Sequence, residues 1–149
     1  MLFSGQIQLR ILTPSRIVFQ TDSGFEGDAI AIRVPGSLAP FEVLPRHAPI
    51  ISALDIGEVR ISRGSAADPL HEYLAISGGV IEVRRDEVIL LANAAEWANE
   101  IDVARAEAAR DRARERLRRS ASPDIDVARA QAALARALNR LRVAAHGHS

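Results

Sequence analysis

Two residue types that support much of protein chemistry, cysteine and lysine, are missing from this sequence. The 149 residues include no cysteine, and all 19 residues of the Lys and Arg class are arginine. The lack of cysteine excludes a disulfide framework, a zinc-thiolate site and a cysteine nucleophile. The lack of lysine excludes a Walker A lysine, a Schiff-base lysine and a lysine general base. Aromatic residues make up only 4% of the chain, which leaves few side chains for base stacking on nucleic acid.

Long apolar runs are also missing. No stretch approaches the roughly 18 apolar residues that indicate a membrane-spanning helix. Residues 1–6 lack both the basic start and the apolar run of a signal peptide. We therefore expect a protein of the cytoplasm, long enough for one domain with its own core and a small appendage.

The charge is balanced overall but not along the chain. Residues 1–95 carry 8 arginines and 11 acidic residues, a formal charge of −3. Residues 96–149 carry 11 arginines and 8 acidic residues, a formal charge of +3. We expect the basic segment, residues 96–149, to bind an acidic surface on a partner.

The C-terminal third contains an internal sequence repeat of two copies. The hexamer IDVARA at residues 101–106 recurs letter for letter at residues 125–130. In each copy an aspartate, Asp102 or Asp126, precedes a run rich in alanine and arginine. An aspartate in that position can accept hydrogen bonds from the free amides of the first helical turn. We predict that each copy opens a helix capped by its aspartate.

The two helices are predicted at residues 103–119 and 127–144, folded back as an antiparallel hairpin. Pro123 and its polar neighbours favour the turn between them. Residues 103–145 contain 14 alanines but only 8 larger aliphatic residues. An alanine methyl buries far less apolar surface than a leucine side chain does. We therefore expect the hairpin to be weakly held on the rest of the protein and mobile.

Residues 1–95 have the pattern of a mostly β domain. Apolar and polar side chains alternate over residues 6–13 and 29–34, as in strands that are buried on one face. Further short strands are predicted at residues 16–19, 41–44, 50–54, 58–62, 70–77, 81–84 and 88–91.

Eight or nine short strands separated by turns predict an antiparallel β-sandwich or flattened barrel. The predicted fold class is α+β and mostly β. A β-sandwich domain at residues 1–95 precedes a helical hairpin domain at residues 96–149, which ends in a short disordered tail.

The remaining motifs favour structural roles. Gly78 and Gly79 are not followed by the lysine of a phosphate loop, so we predict a backbone that needs positive φ between strands. The histidines are too scattered for a metal site, and His146 and His148 fall in the predicted tail. His47, between two prolines, has no suitable serine and carboxylate nearby, which favours a structural or interface role over catalysis.

Two interpretations of the hairpin arginines stay open. One is a solvated face on which they pair with acids such as Asp111. The other is an anion site, because guanidinium groups bind phosphate oxygens in bidentate geometry. The arginines that could converge across the hairpin in this second case are Arg105, Arg112, Arg136 and Arg140.

Four motifs, in this order, resemble the epsilon subunit of F-type ATP synthases. They are LPRHAPI at residues 44–50, ALDIG at 53–57, SGGVIEV at 77–83 and EIDVARA at 100–106. The resemblance covers about residues 6–144. It implies an N-terminal β-sandwich and a C-terminal helical hairpin, the same architecture that the residue pattern predicts.

The resemblance implies a non-catalytic subunit of the rotor. Its sandwich would bind the central gamma shaft and the ring of c subunits, and would couple ion flow to ATP synthesis. Its hairpin would either lie folded or extend along gamma, where the arginines meet an acidic segment of a beta subunit and ATP hydrolysis is inhibited. The implied location is the cytoplasmic face of the bacterial plasma membrane, peripheral and without membrane insertion. No nucleic acid partner is expected.

The same resemblance also implies particular site residues. It implies that ATP with magnesium is a regulatory ligand of the folded hairpin. It implies no obligatory cofactor, no metal site and no catalytic residue. The residues that match the ATP motif are Glu96, Ile101, Asp102, Arg105, Ala106, Arg112, Arg136 and Arg140. The residues expected at the rotor interface are Leu38, Pro40, Phe41 and His47. Ala39 and Pro40 stand where the family often has a glycine and an acidic residue, so a stiffer and less charged loop is expected.

Two functions from other classes stay open beside the rotor subunit. One is a free-standing nucleotide-sensing module that uses the same hairpin. The other is a small hydrolase built on His47.

Overall fold

The computed structural model describes residues 5–21, 29–85 and 87–147 of the chain. Internal contacts divide the chain into two units, Met1–Glu96 and Trp97–Ser149. The first is called the strand unit here and the second the helical unit.

Alternating burial explains why the segments of the strand unit form strands. In the first strand, Leu9 and Ile11 are fully buried, while the residues between and beside them are partly exposed. The described strands are β1 (Gln8–Leu12), β2 (Ile17–Gln20), β3 (Ala29–Val34), β4 (Phe41–Val43), β5 (Ile50–Ser65), β6 (Asp68–Val83), β7 (Glu87–Ala92) and β8 (Ala95–Trp97). Their buried faces form the core, whose largest members include Ile32, Ile61, Leu74, Ile81 and Leu90.

All described strands belong to one sheet. Its order is β2-β1-β7-β6-β5-β3-β4, and β8 pairs with β6 outside this path. Along the main path the pairs are antiparallel except β1 with β7, which are parallel and far enough apart in sequence for the return connection. The amide of Ile7 donates to the carbonyl of Ala29 at 2.8 Å, so the start of β1 reaches the start of β3 although three strands separate them in the sheet. The sheet is therefore strongly curled, and the predicted sandwich or flattened barrel is confirmed.

The two longest strands correct the sequence-based prediction. Four short strands were expected along residues 50–83, but β5 and β6 are each continuous over 16 residues. Gly57 lies inside β5 and does not end it. A Cβ atom at this position would lie 2.5 Å from the Cβ of Pro35, so the glycine lets the segment around Pro35 pack closely against the strand. Gly78 and Gly79 have φ of 87° and 154°, so the predicted positive φ is confirmed, but it occurs within a strand rather than between strands.

The helical unit begins with a single 3₁₀ turn at Ala98–Glu100 and continues with α1 (Val103–Arg118) and α2 (Val127–Gly147). A Cβ atom on Gly147 would lie 2.7 Å from the carbonyl carbon of Ala98. The end of α2 therefore lies beside the turn that precedes α1, and the two contacting helices run antiparallel. The helical hairpin is confirmed.

The end of α2 differs from the prediction. The sequence placed the helix end at residue 144 and His146 in a disordered tail, but the helix continues through Gly147. The close approach of Gly147 to Ala98 and Asn99 explains the difference, since only a residue without a Cβ fits there. The last part of the predicted tail, including His148, lies outside the described residues.

Alanines at heptad spacing are buried in the hairpin. On α1 these are Ala106 and Ala113, and on α2 they are Ala130, Ala137 and Ala144. A small side chain at every seventh position lets two helices approach closely along one seam. Leu138, directly after the buried Ala137, is 37% exposed. None of the helices in the described ranges has both the length and the apolar character needed to cross a membrane.

Candidate functional site

Each copy of the sequence repeat starts its helix in the predicted way. The carboxylate of Asp102 accepts a hydrogen bond from the amide of Arg105 at 3.1 Å. The carboxylate of Asp126 accepts the equivalent bond from Arg129, also at 3.1 Å. Both aspartates are exposed helix caps, so the predicted capping role is confirmed.

Removing either cap is expected to weaken the hairpin measurably. Replacing Asp102 or Asp126 with alanine leaves one first-turn amide without its acceptor, and we expect a loss of about 1 kcal/mol in the free energy of unfolding. Urea unfolding followed by far-UV circular dichroism measures this loss. Asparagine also caps well, so Asp102→Asn and Asp126→Asn should lose much less. An equal loss with asparagine and alanine would assign the effect to the charge instead of the hydrogen bond.

The structure brings four of the predicted ATP-site residues together at the start of α1. Ile101 and Ala106 are buried, whereas Asp102 and Arg105 are exposed. Arg112 is seven residues beyond Arg105 and therefore on the same face of α1. The end of the hairpin opposite the turn that connects the two helices is called the open end. The face of α1 that carries Arg105 and Arg112 starts at this open end.

Two further predicted residues are on α2. Arg136 and Arg140 are one helical turn apart in its C-terminal half. Because the helices are antiparallel, this half runs beside the N-terminal half of α1, so Arg140 and Arg105 are both near the open end. Glu96, the last predicted residue, is half-buried in β8 of the strand unit.

Ion pairs separate two groups of hairpin arginines. Arg110 pairs with Asp111 at 3.0 Å, and Arg118 pairs with Glu115 at 3.1 Å. Within the described ranges, Arg105, Arg112 and Arg136 have no ion-pair partner. Three of the four arginines chosen from the sequence as anion ligands are thus among those that have no ion pair within the described hairpin.

Sequence reasoning missed one buried polar residue of α2. Asn139 is 3% exposed, between Arg136 and Arg140 in sequence. Val143, one turn further, is fully buried, so this face of α2 is inaccessible to water although it carries an amide group. The available signal was the single asparagine inside a helix built mostly from alanine, leucine and arginine.

The loop between β3 and β4 carries two of the four residues expected at the rotor interface, and a third is the first residue of β4. Leu38 and Pro40 are exposed, and Phe41 is half-buried as the first residue of β4. A Cβ atom on Gly36 would lie 2.8 Å from the Phe41 ring, and the amide of Ser37 donates to the carbonyl of Ala53 at 3.0 Å. The loop is therefore tightly held, and it presents Leu38 and Pro40 to solvent.

His47, the fourth expected interface residue, is half-buried in the turn that follows β4. Its Nδ1 lies 2.7 Å from the carbonyl oxygen of Ala48. A carbonyl only accepts, so Nδ1 carries the proton. Arg46, directly before it, has a positive φ of 64° in a turn closed by the bond from the His47 amide to the Leu44 carbonyl at 3.1 Å.

Arg46 is expected to be a strained position. A residue with a Cβ atom pays roughly 1–2 kcal/mol in the left-handed region, whereas glycine does not. We expect Arg46→Gly to raise the free energy of unfolding by about 0.5–1 kcal/mol, after the greater flexibility of glycine in the unfolded chain is taken into account. Arg46→Ala keeps the Cβ atom and serves as the control in chemical denaturation. A gain of equal size with alanine would show that the guanidinium group, and not the backbone, is responsible.

A row of apolar side chains crosses five strands on the solvent-exposed face of the sheet. It is called the apolar row here. The register pairs Ala53 with Val80, Val80 with Leu91, Leu91 with Leu12, and Leu12 with Ile17. Residues paired across strands share one face of a sheet. Val80, Leu91 and Ile17 are 42%, 53% and 60% exposed, and Ile51, two residues before Ala53, is 72% exposed.

Both faces of the sheet are apolar at this place. The neighbours of the row in sequence, Leu54, Ile81, Leu90 and Ile11, point to the opposite face and are buried in the core. A sheet with one solvated face alternates apolar and polar residues, and a sheet covered on both faces does not. Large contiguous apolar patches on a surface mark interaction sites. Sequence analysis missed the apolar row, although the consecutive apolar residues within these strands were a signal for it.

The histidines of the strand unit are used in local contacts. The Nδ1 atom of His71 is 3.0 Å from the Ser62 hydroxyl, and its ring packs edge-on against Tyr73. Across residues 5–21, 29–85 and 87–147, no group of three His, Cys, Asp or Glu side chains is arranged to hold a metal ion.

Known protein families match nearly the whole chain. Residues 6–98 match the family described as ATP synthase, delta/epsilon chain, beta-sandwich domain. Residues 99–145 match the family described as ATP synthase, delta/epsilon chain, long alpha-helix domain.

Two curated relatives have the same kind of name. The chain is 49% identical to the ATP synthase epsilon chain of Pelotomaculum thermopropionicum over 110 residues, which cover 74% of this chain and 75% of the relative. It is 45% identical to the ATP synthase epsilon chain of Carboxydothermus hydrogenoformans over 116 residues, 78% of this chain and 79% of the relative.

A solved structure has the same fold. A chain of the Euglena gracilis mitochondrial ATP synthase, in a structure of its OSCP/F1/c-ring part, superposes with a TM-score of 0.71 at 22% identity. The superposition covers 95% of this chain and 82% of that one. At this identity the likeness concerns the fold alone.

Proposed function

The chain belongs to the ATP synthase delta/epsilon chain family, and from this premise we propose that it is the epsilon-type subunit of the central stalk of an ATP synthase. In this role it has no catalytic residues of its own. It acts by coupling ion flow through the c-ring to ATP synthesis and associates peripherally with the membrane as part of the complex. The observation that carries the proposal is the apolar row, a surface that needs a protein partner.

The apolar row is proposed to dock on the gamma shaft. Val80, Leu91 and Ile17 expose apolar surface along one row of the sheet, and burial against a partner would remove it from water. Interfaces of lasting complexes are more apolar than the rest of a protein surface. A shaft helix lying across the five strands would cover the row.

The β3–β4 loop is proposed to contact the c-ring. Its exposed Leu38 and Pro40 are held on a tightly packed loop, which suits a contact that transmits torque without deforming. Phe41 and His47 support the loop from β4 and the following turn. The lack of an acidic side chain at Pro40 makes this contact apolar.

The helical unit is proposed to inhibit ATP hydrolysis and to respond to ATP. Its seam consists of alanines such as Ala113 and Ala137, each of which buries little apolar surface, so folded and extended states can differ by only a few kcal/mol. Arg105, Arg112 and Arg136 are not neutralised within the described hairpin. In the extended state they would meet an acidic segment of a beta subunit, and in the folded state they would bind the phosphates of ATP.

Reconstitution tests the rotor role. The chain is added to a catalytic complex that contains gamma but lacks this subunit, and co-elution and ATP hydrolysis are measured. We expect stable binding and a lower hydrolysis rate, and we expect a chain that ends at residue 96 to bind without lowering the rate. Failure of the full chain to co-elute with the complex would overturn the proposal.

Titration calorimetry of the isolated chain with ATP and magnesium tests the sensing role. Saturable binding should be lost in the double variant Arg105→Ala with Arg140→Ala. The matched control is Arg110→Ala with Arg118→Ala, which removes the same charge from arginines that are paired with neighbouring acids. Absence of saturation up to millimolar ATP would exclude nucleotide sensing and leave the rotor role untouched.

A further inference from the structure

Arg46, His47 and Arg85 surround an open depression at one end of the strand unit. Ala48 and Pro49 complete its lining, and the cavity volume is about 370 Å³. Ile50 pairs with Val83 in the sheet, which brings the turn before β5 against the turn after β6. We propose that this depression is a phosphate-binding site, separate from the arginines of the hairpin and independent of the role in the rotor.

The arginines of the depression differ from others in the same unit. Arg10, Arg60, Arg63 and Arg84 each have a glutamate carboxylate within 4 Å, at 3.5, 3.8, 3.1 and 2.8 Å. Within the described ranges, Arg46 and Arg85 have no such partner. Two guanidinium groups that line one depression and have no carboxylate partner among the described residues favour an external anion.

His47 adds a third polar group to the depression. Its Nδ1 proton is committed to the carbonyl of Ala48, so Nε2 is the ring atom left for a ligand. Nε2 of this tautomer accepts a hydrogen bond, so it can pair with the O–H group of a monoprotonated phosphate. The two guanidinium groups and this nitrogen can together bind several oxygens of one phosphate group.

The backbone of Arg46 supports the same interpretation. Its φ of 64° is a conformation that glycine adopts without strain and arginine does not. Backbone outliers of this kind tend to occur where a side chain has a task. Here the strained backbone holds a guanidinium group at the edge of the depression.

Phosphate fits the donors better than other anions. Arginine forms bidentate hydrogen bonds with phosphate oxygens, and two arginines match the charge of a phosphate dianion. The shared chemistry is a phosphate group with at least two free oxygens, which either free inorganic phosphate or the headgroup of an anionic phospholipid supplies. Measurements with the two sources distinguish them.

The test uses the full chain labelled with ¹⁵N and titrated with inorganic phosphate. We expect saturable shifts centred on the amides of Arg46, His47, Ala48 and Arg85. Arg46→Gly and Arg85→Gln should each weaken binding roughly tenfold or more, because each removes a charge-assisted contact. Arg46→Gly is expected to fold at least as well as the parent chain, so lost binding cannot be attributed to unfolding. Arg33→Gln removes the same charge from exposed Arg33 on β3 and should leave the affinity unchanged.

The second arm replaces phosphate by vesicles and measures flotation of the same variants. Binding to phosphatidylglycerol vesicles but not phosphatidylcholine vesicles, lost in Arg46→Gly and kept in Arg33→Gln, assigns the site to a lipid headgroup. Phosphate binding without vesicle binding assigns it to the free ion. Phosphate shifts that are spread over all arginines, or that persist in both depression variants, would overturn the proposal. The absence of both saturable phosphate shifts and selective vesicle binding in the parent chain would overturn it as well.

Discussion

Replacing Val80 and Leu91 together with aspartate is expected to abolish binding to the gamma-containing complex while leaving the chain folded. Both side chains are at the centre of the apolar row, and both are partly exposed in the free chain. Because each side chain is already about half buried in the free chain, each substitution removes about 1 kcal/mol of apolar burial from the interface, and it also buries an unpaired carboxylate there. The sum corresponds to a loss of affinity of roughly a thousandfold or more. Surface plasmon resonance with the immobilised complex measures it.

A matched control separates docking from net charge. Ala67→Asp with Leu70→Asp also adds two negative charges at exposed positions, one in the turn between β5 and β6 and one near the start of β6, away from the apolar row. This control should bind within a few-fold of the parent chain. If the row variant binds normally, or if the control loses affinity to the same extent, the apolar row is not the docking surface.

The helix caps were predictable because the rule that governs them is local. Asp102 and Asp126 each bond to an amide three residues later in sequence, at 3.1 Å in both copies. No information from elsewhere in the chain is needed for such a contact. The repeat shows the same capping pattern twice, which strengthened the prediction of two helices. The proline between the two copies then predicted the turn of the hairpin.

The continuity of β5 and β6 was not predictable for the opposite reason. Gly57 and Gly78 resemble strand breaks when only their own propensities are considered. What fits against them is remote in sequence: Pro35 covers Gly57, and the carbonyl of Gly78 accepts from the amide of Asn93 at 3.0 Å. The same applies to Gly147, whose neighbour is Ala98. The sequence alone does not distinguish a glycine that ends a strand from a glycine that lets another segment of the same chain pack closely against it.

The candidate sites divide in the same way. The arginines of the hairpin were found from spacing along a helix, since spacing determines which face they share. The apolar row was missed because its members come from five strands, and only the register of the sheet puts Val80 between Ala53 and Leu91. The depression beside Arg46 was missed because Arg85 joins it from a turn on another strand pair.

Replacing Gly79 with alanine is expected to cost the strand unit roughly 2–6 kcal/mol of unfolding free energy. A Cβ atom at this position would lie 2.1 Å from the carbonyl oxygen of Leu91 and 2.9 Å from the Cα of Ala92, and both atoms belong to the backbone of β7. Backbone cannot move aside as a flexible side chain can, so overpacking of about 1–3 kcal/mol is expected. The φ of 154° adds roughly 1–3 kcal/mol for a residue that is not glycine. Chemical denaturation measures the loss.

Gly64→Ala isolates the clash from the backbone strain. Gly64 also has a positive φ, 88°, but the nearest atom to its Cβ position is the carbonyl oxygen of Asp68 at an ordinary 3.8 Å. This control should lose only about 1–2 kcal/mol. Equal losses in the two variants would mean that β7 yields to the added methyl group without cost. An excess loss at Gly79 would instead show that β6 and β7 form a rigid pair, and this rigidity is what fixes Val80 and Leu91 as a preformed docking surface.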